Sequence, residues 1–193
     1  MTSENIYQAP EAELAVESSE SEKDQFFTTA SRKLIVLSIF TLNIYSLYWF
    51  YKHWEAQKLN AERNCMPVLR AIFQVFFVYS LFSIIRKDAS SKGINASWGA
   101  GLFATVYILL QITSGIVGQL SGDPADMFNL ILVSWMVSFI SIIPIAIVQK
   151  TANRINGDPD GKQNERFTGL NWLCVGLGAI YWGLVILGTQ LAV

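Results

Sequence analysis

Residues 34–51 read LIVLSIFTLNIYSLYWFY, eighteen positions without a formal charge, fenced by Arg32 and Lys33 on one side and Lys52 on the other. At ~1.5 Å of rise per residue, a helix of that length just covers a ~30 Å hydrocarbon layer. Four more apolar segments follow, at about 71–85, 98–118, 128–148 and 170–193. The third and fourth are charge-free over 21 residues each, the second is shorter, and the fifth stays apolar to the last residue. With 52% hydrophobic and 15% charged residues among 193, the chain has too few charges to coat a water-soluble domain. The fold class expected is all-α: an integral membrane helical bundle with four or five embedded helices.

Ahead of this membrane domain (31–193) lies a tail (1–30) in which Glu4, Glu11, Glu13, Glu17, Glu20, Glu22 and Asp24 stand among serines and alanines. Nothing in it builds a core, so it is expected to be disordered. The opening MTSENIYQAP has neither a basic n-region nor an apolar h-region, which leaves targeting to the first apolar segment. Net charge is −1, but acids crowd the tail while bases cluster at segment ends. That distribution points to a lipid bilayer as partner and gives no reason to expect nucleic acid.

Counting bases sets the orientation. If all five segments cross with the N-terminus in the cytoplasm, ten of the fourteen Lys and Arg residues lie inside; the opposite orientation leaves four. The N-inside, C-outside arrangement is therefore favoured, with one blemish: Lys52, Lys58, Arg63 and Arg70 would face outward. An alternative removes it. A break at Thr41-Leu42-Asn43 turns the first segment into a re-entrant hairpin, the short second segment lies along the inner surface, and every base stays inside. Backbone exposed at depth must then be sheltered by protein.

Aromatic residues mark the presumed interfaces: Trp49 and Trp54 close the first segment, Trp98 opens the third and Trp172 opens the fifth, all expected as headgroup-level anchors. Arg70 is expected to snorkel, and Pro67 fits a helix start. Trp135 and Trp182 lie nearer segment centres and are expected to pack. Two faces carry small or hydroxylated residues at helical spacing: Ser134, Ser138 and Ser141, and Gly176, Ala179 and Gly183. Such residues let membrane helices approach and hydrogen-bond, so both sets are expected to be helix-packing sites within the bundle. Pro144 is expected to kink the fourth segment.

Candidate chemistry is sparse. No Asp, Glu, Lys, Arg or His falls inside any segment, where its desolvation would signal function. His53 is the only histidine and stands at a segment end; Cys65 and Cys174 are too few for a disulfide framework or a thiolate metal site. Asn156-Gly157-Asp158-Pro159-Asp160-Gly161 opens like a calcium loop, yet its twelfth position is Phe167 where a bidentate acid is required, so a plain turn is expected. Asn95-Ala96-Ser97 matches a glycosylation pattern only by chance. No catalytic, metal or cofactor residue is assigned.

The strings TLNIYSLYWFYKHWEAQK, PVLRAIFQVFFVYSLFSII and VQKTANRING, with the Gly-rich apolar end, resemble a family of small multi-pass inner-membrane proteins of Gram-negative bacteria built on a domain of unknown function. The NIYQAP start is similar to an Asn-Pro-Tyr-x-Ala-Pro tail common on such proteins, with Ile6 replacing the proline. The resemblance implies a bacterial inner membrane and supplies no active-site residues. The function expected is a membrane scaffold or regulatory subunit, not an enzyme, binding its own copies or a larger membrane complex. The alternative is a channel or carrier for a neutral or lipidic molecule, using the hydroxyl face of the fourth segment with Gln111, Thr113 and Ser114 of the third.

Overall fold

In the computed structural model, residues 24–60, 64–117, 119–120 and 124–191 are described. The expectations for residues 1–23, for Arg63 and for the last two residues lie outside them. Among the described residues the chain is helical and without strands.

The first apolar segment is not one straight helix. It forms α1 (Ser31–Phe40) and α2 (Ile44–Asn60), separated by a reversal at Leu42 (φ 52°) and Asn43 (φ 65°). Asn43 N–H bonds to Ser38 O at 2.7 Å and Leu42 N–H to Ile39 O at 3.3 Å, the bond pair of a Schellman terminus. The Thr41 hydroxyl accepts from Tyr45 N–H at 3.0 Å, and Ser46 Oγ donates to Asn43 O at 2.7 Å. The two arms then run antiparallel. Gln57 Nε2 reaches back to Gln25 O at 3.0 Å, and the Phe27 ring meets Tyr48 edge-on at 5.9 Å. The single crossing of the five-span expectation is thus replaced by a helical hairpin. Its ten-residue first arm is ~15 Å long, about half a hydrocarbon layer.

Helices α4 and α7, introduced below, end in the same motif with glycine at the left-handed position, Gly93 (φ 69°) and Gly157 (φ 77°). Leucine in that conformation strains against its own Cβ. Leu42→Gly should therefore keep the fold and raise its stability by up to about 1 kcal/mol, read as a higher melting temperature in detergent. A lower one would mean that the Leu42 side chain matters more than the backbone strain.

The second segment also divides. Pro67 opens α3 (Pro67–Ile72) as expected, and after Phe73 the chain continues as α4 (Gln74–Ser91). Val78, Leu81, Phe82, Ile85 and Ala89 form the buried stripe of α4, while Phe76 and Tyr79 are exposed. Phe77 packs on Trp54 at 6.4 Å, and Asp88 accepts from Gln25, whose carbonyl is bound by Gln57. Phe77 thus reaches the Trp54 end of α2 directly, and Asp88, further along α4, is linked to the same end through Gln25.

The rest is α5 (Ala100–Val117), α6 (Pro124–Ile140), α7 (Ile142–Ile155) and α8 (Gly169–Leu191). Three stretches are long and apolar enough to cross a membrane: Ala100–Val117, Asn129–Ile155 and Gly169–Gly188. The middle one contains the expected kink. Pro144 has no N–H for the Ile140 carbonyl, and the helix breaks at Ser141, whose N–H turns to Ser138 O at 3.2 Å.

Long-range bonds gather the strap 24–30, the end of α4, the start of α5, the end of α7 and the start of α8 at one end of the bundle. Trp98 Nε1 donates to Thr151 Oγ1 at 2.9 Å, Lys92 Nζ to Ile155 O at 3.1 Å, and Lys33 Nζ to Arg166 O at 2.8 Å.

Candidate functional site

Helix α7 and its C-terminal cap residue carry side-chain amides at Gln149, Asn153 and Asn156, spacing i, i+4, i+7, so all three share one face. That face reads the backbone of the extended strap. Gln149 Nε2 donates to Phe27 O at 2.9 Å and Asn153 Nδ2 to Thr29 O at 2.9 Å. Asn156 Nδ2 donates to Phe26 O at 2.6 Å while its Oδ1 accepts from Phe26 N–H at 3.2 Å. Asn164 adds a bond to Thr28 O at 3.1 Å. The strap is thus held by side chains in place of a partner strand, and its 24–30 part belongs to the packed domain: Phe26, Thr28 and Thr29 are all buried. Residues 24–30, drawn as part of the tail, therefore pack on the helices.

Gln149 also faces α2. Its Oε1 accepts from Trp49 Nε1 and lies 3.0 Å from His53 Nε2, while its Nε2 donates to Asn153 Oδ1 at 2.6 Å. One fully buried amide therefore joins α2, α7 and the strap. His53, expected at an interface, is enclosed by Phe26, Phe27 and Trp49 with ring centroids 6.0, 6.0 and 4.1 Å away. With Nε2–H donating to Gln149, Nδ1 is the bare nitrogen, and it is buried without a partner. Burial pushes the His53 pKa down to about 4, outweighing the Gln149 contact that raises it.

A buried neutral histidine makes stability pH-dependent. Above the unfolded-state value of 6.5 neither state binds the proton and nothing changes. As pH falls from 6.5 towards 4 the unfolded chain protonates first, and the native state loses up to ~1.4 kcal/mol per unit. Melting temperatures measured from pH 7.5 to 4.5 should fall through this window, and His53→Phe should flatten the slope. An unchanged slope in the variant would place the dependence elsewhere.

Other expected sites are repositioned. Trp49, Trp54 and Trp98 are not headgroup anchors but core residues, 0%, 0% and 4% exposed: Trp49 bonds to Gln149 of α7, Trp54 lies against Phe77 and Arg70, and Trp98 packs on Phe82 and bonds to Thr151, whereas Trp172 is 62% exposed. The Arg70 guanidinium stacks over Trp54 at 4.3 Å and Phe77 at 5.2 Å. Trp135 and Trp182 pack at 6.3 Å.

Ser134, Ser138 and Ser141 all bond within the chain: Ser134 Oγ to Ser114 O at 2.7 Å, Ser138 Oγ from Asn43 Nδ2 at 3.1 Å, and Ser141 Oγ to Gln111 Oε1 at 3.3 Å. The glycine stripe is corrected. Gly176 and Ala179 are exposed, a Cβ at Gly176 or Gly183 meets no atom within 4 Å, and the close contact of α8 falls on Gly178 against the Phe40 backbone, beside Trp182 Nε1 donating to Ile39 O at 3.3 Å. The helix meets α1 one-third of a turn away from the face that small-residue spacing suggested.

In the Asn156–Gly161 loop, Asp158 Oδ2 accepts from Gln163 N–H at 2.9 Å, and Asp160 pairs with Lys162 at 3.5 Å on the surface. Gly161 (φ 71°) packs on the Thr29 backbone, where a Cβ would lie 2.5 Å from the carbonyl. Its role is to dock the loop on the strap. Cys65 is buried and Cys174 half-buried, both as thiols.

No protein-family model, no curated protein and no solved structure matches the chain.

Proposed function

We propose that the chain is a small integral membrane scaffold or regulatory subunit that binds its own copies or a larger membrane complex through helix faces and has no catalytic activity of its own. The attachment of α8 is the observation that supports this reading most. The helix touches the bundle along the edge containing Gly178 and Trp182, while Leu177, Ile180, Leu184 and Leu187 remain exposed together with Gly176 and Ala179. Exposed leucines suit lipid equally well, but small residues among them let a second helix come close. The hydroxyls and amide that a carrier would need for a neutral substrate, on Ser114, Ser134, Ser141 and Gln111, bond to one another across α5 and the α6–α7 break.

The same reading places the chain in a bacterial inner membrane, following the family resemblance, with the N-terminus cytoplasmic and the C-terminus periplasmic. The α1–α2 hairpin enters and leaves from the cytoplasm, α3 and α4 lie along that surface, and α5, α6–α7 and α8 cross. All fourteen bases then stay inside, since none occurs between residues 93 and 149 or after Arg166.

Purification of the full chain in mild detergent tests the scaffold reading. A stoichiometric partner or a homo-oligomer is expected, lost in Gly183→Ile with the melting temperature unchanged. A monomer that supports flux of a neutral solute in proteoliposomes would favour the channel or carrier instead.

A further inference from the structure

Between the start of α1 and the start of α8 lies a cleft of about 650 Å³. Arg32, Lys33 and Arg166 supply its cations, Glu165 its one acid, and Val36, Phe167 and Trp172 give it an apolar wall. Two features of this cleft are unfavourable as they stand. Arg32 and Lys33 occupy the first turn of α1, the positive end of a helix dipole, where acidic residues are the stabilising choice and none is present. No side chain caps that turn, so its first N–H groups add to the positive field.

Lys33 sharpens the imbalance. It is 4% exposed, and its ammonium donates to Asn164 Oδ1 at 2.6 Å and to Arg166 O at 2.8 Å, both neutral acceptors. That leaves one of three donors unused. Burial pushes its pKa below the ordinary value, as follows for an ammonium with no carboxylate against it. The Phe167 and Trp172 rings stack at 5.4 Å along the apolar side, with Trp172 exposed where a headgroup region would begin.

We propose that this cleft binds the phosphate headgroup of an anionic phospholipid, with Arg32 and Arg166 on the phosphate oxygens, Lys33 supporting them, and an acyl chain laid along Val36 and Trp172. The phosphate supplies the negative charge that the α1 terminus lacks. The apolar wall selects a lipid over a free phosphate, and basic pockets between membrane helices on the cytoplasmic side commonly hold such headgroups. The proposal rests on the membrane placement given above.

Melting of the full chain in neutral detergent tests it, with phosphatidylglycerol, phosphatidylcholine or inorganic phosphate added. Phosphatidylglycerol should give a saturable rise of at least about 3 °C, while the other two give none. Arg32→Gln with Arg166→Gln should abolish that rise, and Lys150→Gln, outside the cleft, should keep it. Where the double variant melts below the wild type without lipid, Arg166→Gln alone takes its place, since Arg166 is exposed. An equal rise with phosphatidylcholine, a rise with inorganic phosphate alone, or a rise that survives the arginine substitutions overturns the site. Failure of the membrane reading shows separately, as a chain that stays soluble and folded with neither lipid nor detergent.

Discussion

Gln149→Leu should lower the stability of the folded chain by about 3–5 kcal/mol, the largest effect expected of a side chain that preserves volume. The substitution removes the acceptor of Trp49 Nε1 and His53 Nε2 and the donor to Phe27 O and Asn153 Oδ1, all in a region closed to water. Each group left unpaired there costs about 1–3 kcal/mol, and leucine returns only its apolar contacts. The strap should also loosen, since Phe27 loses its side-chain tether. Thermal melting in detergent reads the first effect and protease sensitivity near Phe26 the second. Gln163→Leu, at an exposed position, should stay within about 0.5 kcal/mol of wild type. Equal melting of the two variants would mean that the amide cluster does not hold the fold.

Gly178→Leu should cost about 3 kcal/mol or more, and even Gly178→Ala should be destabilising, because a first side-chain carbon at that position overlaps the Phe40 carbonyl. The end of α1 cannot retreat easily. Phe40 leads directly into the Leu42–Asn43 reversal, which Asn43 ties to Ser138 on α6. Gly176→Ala, by contrast, meets open space and should be neutral or up to about 1 kcal/mol more stable, through the lower flexibility of alanine in a helix. The pair separates the observed contact face from the stripe that small-residue spacing suggested. Reversed effects would mean that α8 is rotated about its axis.

How much of this was legible in the sequence differs by element. The three long apolar stretches were plain from length and charge alone, as were the break near Pro144 and the helix start at Pro67. The hairpin was harder, because Leu42 occupies a position where glycine would have announced the turn, and only the polar Thr41 and Asn43 hinted at it. The burial of Trp49, Trp54 and Trp98 was hidden for a related reason: interface preference presumes isolated straight spans, whereas α7 covers Trp49, α3 and α4 cover Trp54, and α4 and α7 cover Trp98. On α8, Gly176, Gly178, Ala179 and Gly183 are all small, so composition does not say which of them faces a neighbour; only the position of α1 does. The amide face did leave a signal. Gln149, Asn153 and Asn156 at i, i+4, i+7 near the end of an apolar helix are polar residues that a purely lipid-facing helix has no use for. What they bind, the backbone of residues 26–29, is over 120 residues away in sequence and could not be read from spacing.

The central claim is that the first apolar segment turns back, so that both ends of the hairpin share a face with the loop before α8. Single-cysteine labelling from the two membrane sides tests it most directly, using Lys58→Cys, Gln163→Cys and Leu120→Cys in a background of Cys65→Ala and Cys174→Ala. All three positions are exposed. Lys58→Cys and Gln163→Cys should react with an impermeant maleimide only from the cytoplasmic side, and Leu120→Cys only from the periplasmic side. Reaction of Lys58→Cys from the same side as Leu120→Cys would contradict the hairpin and restore a straight first span.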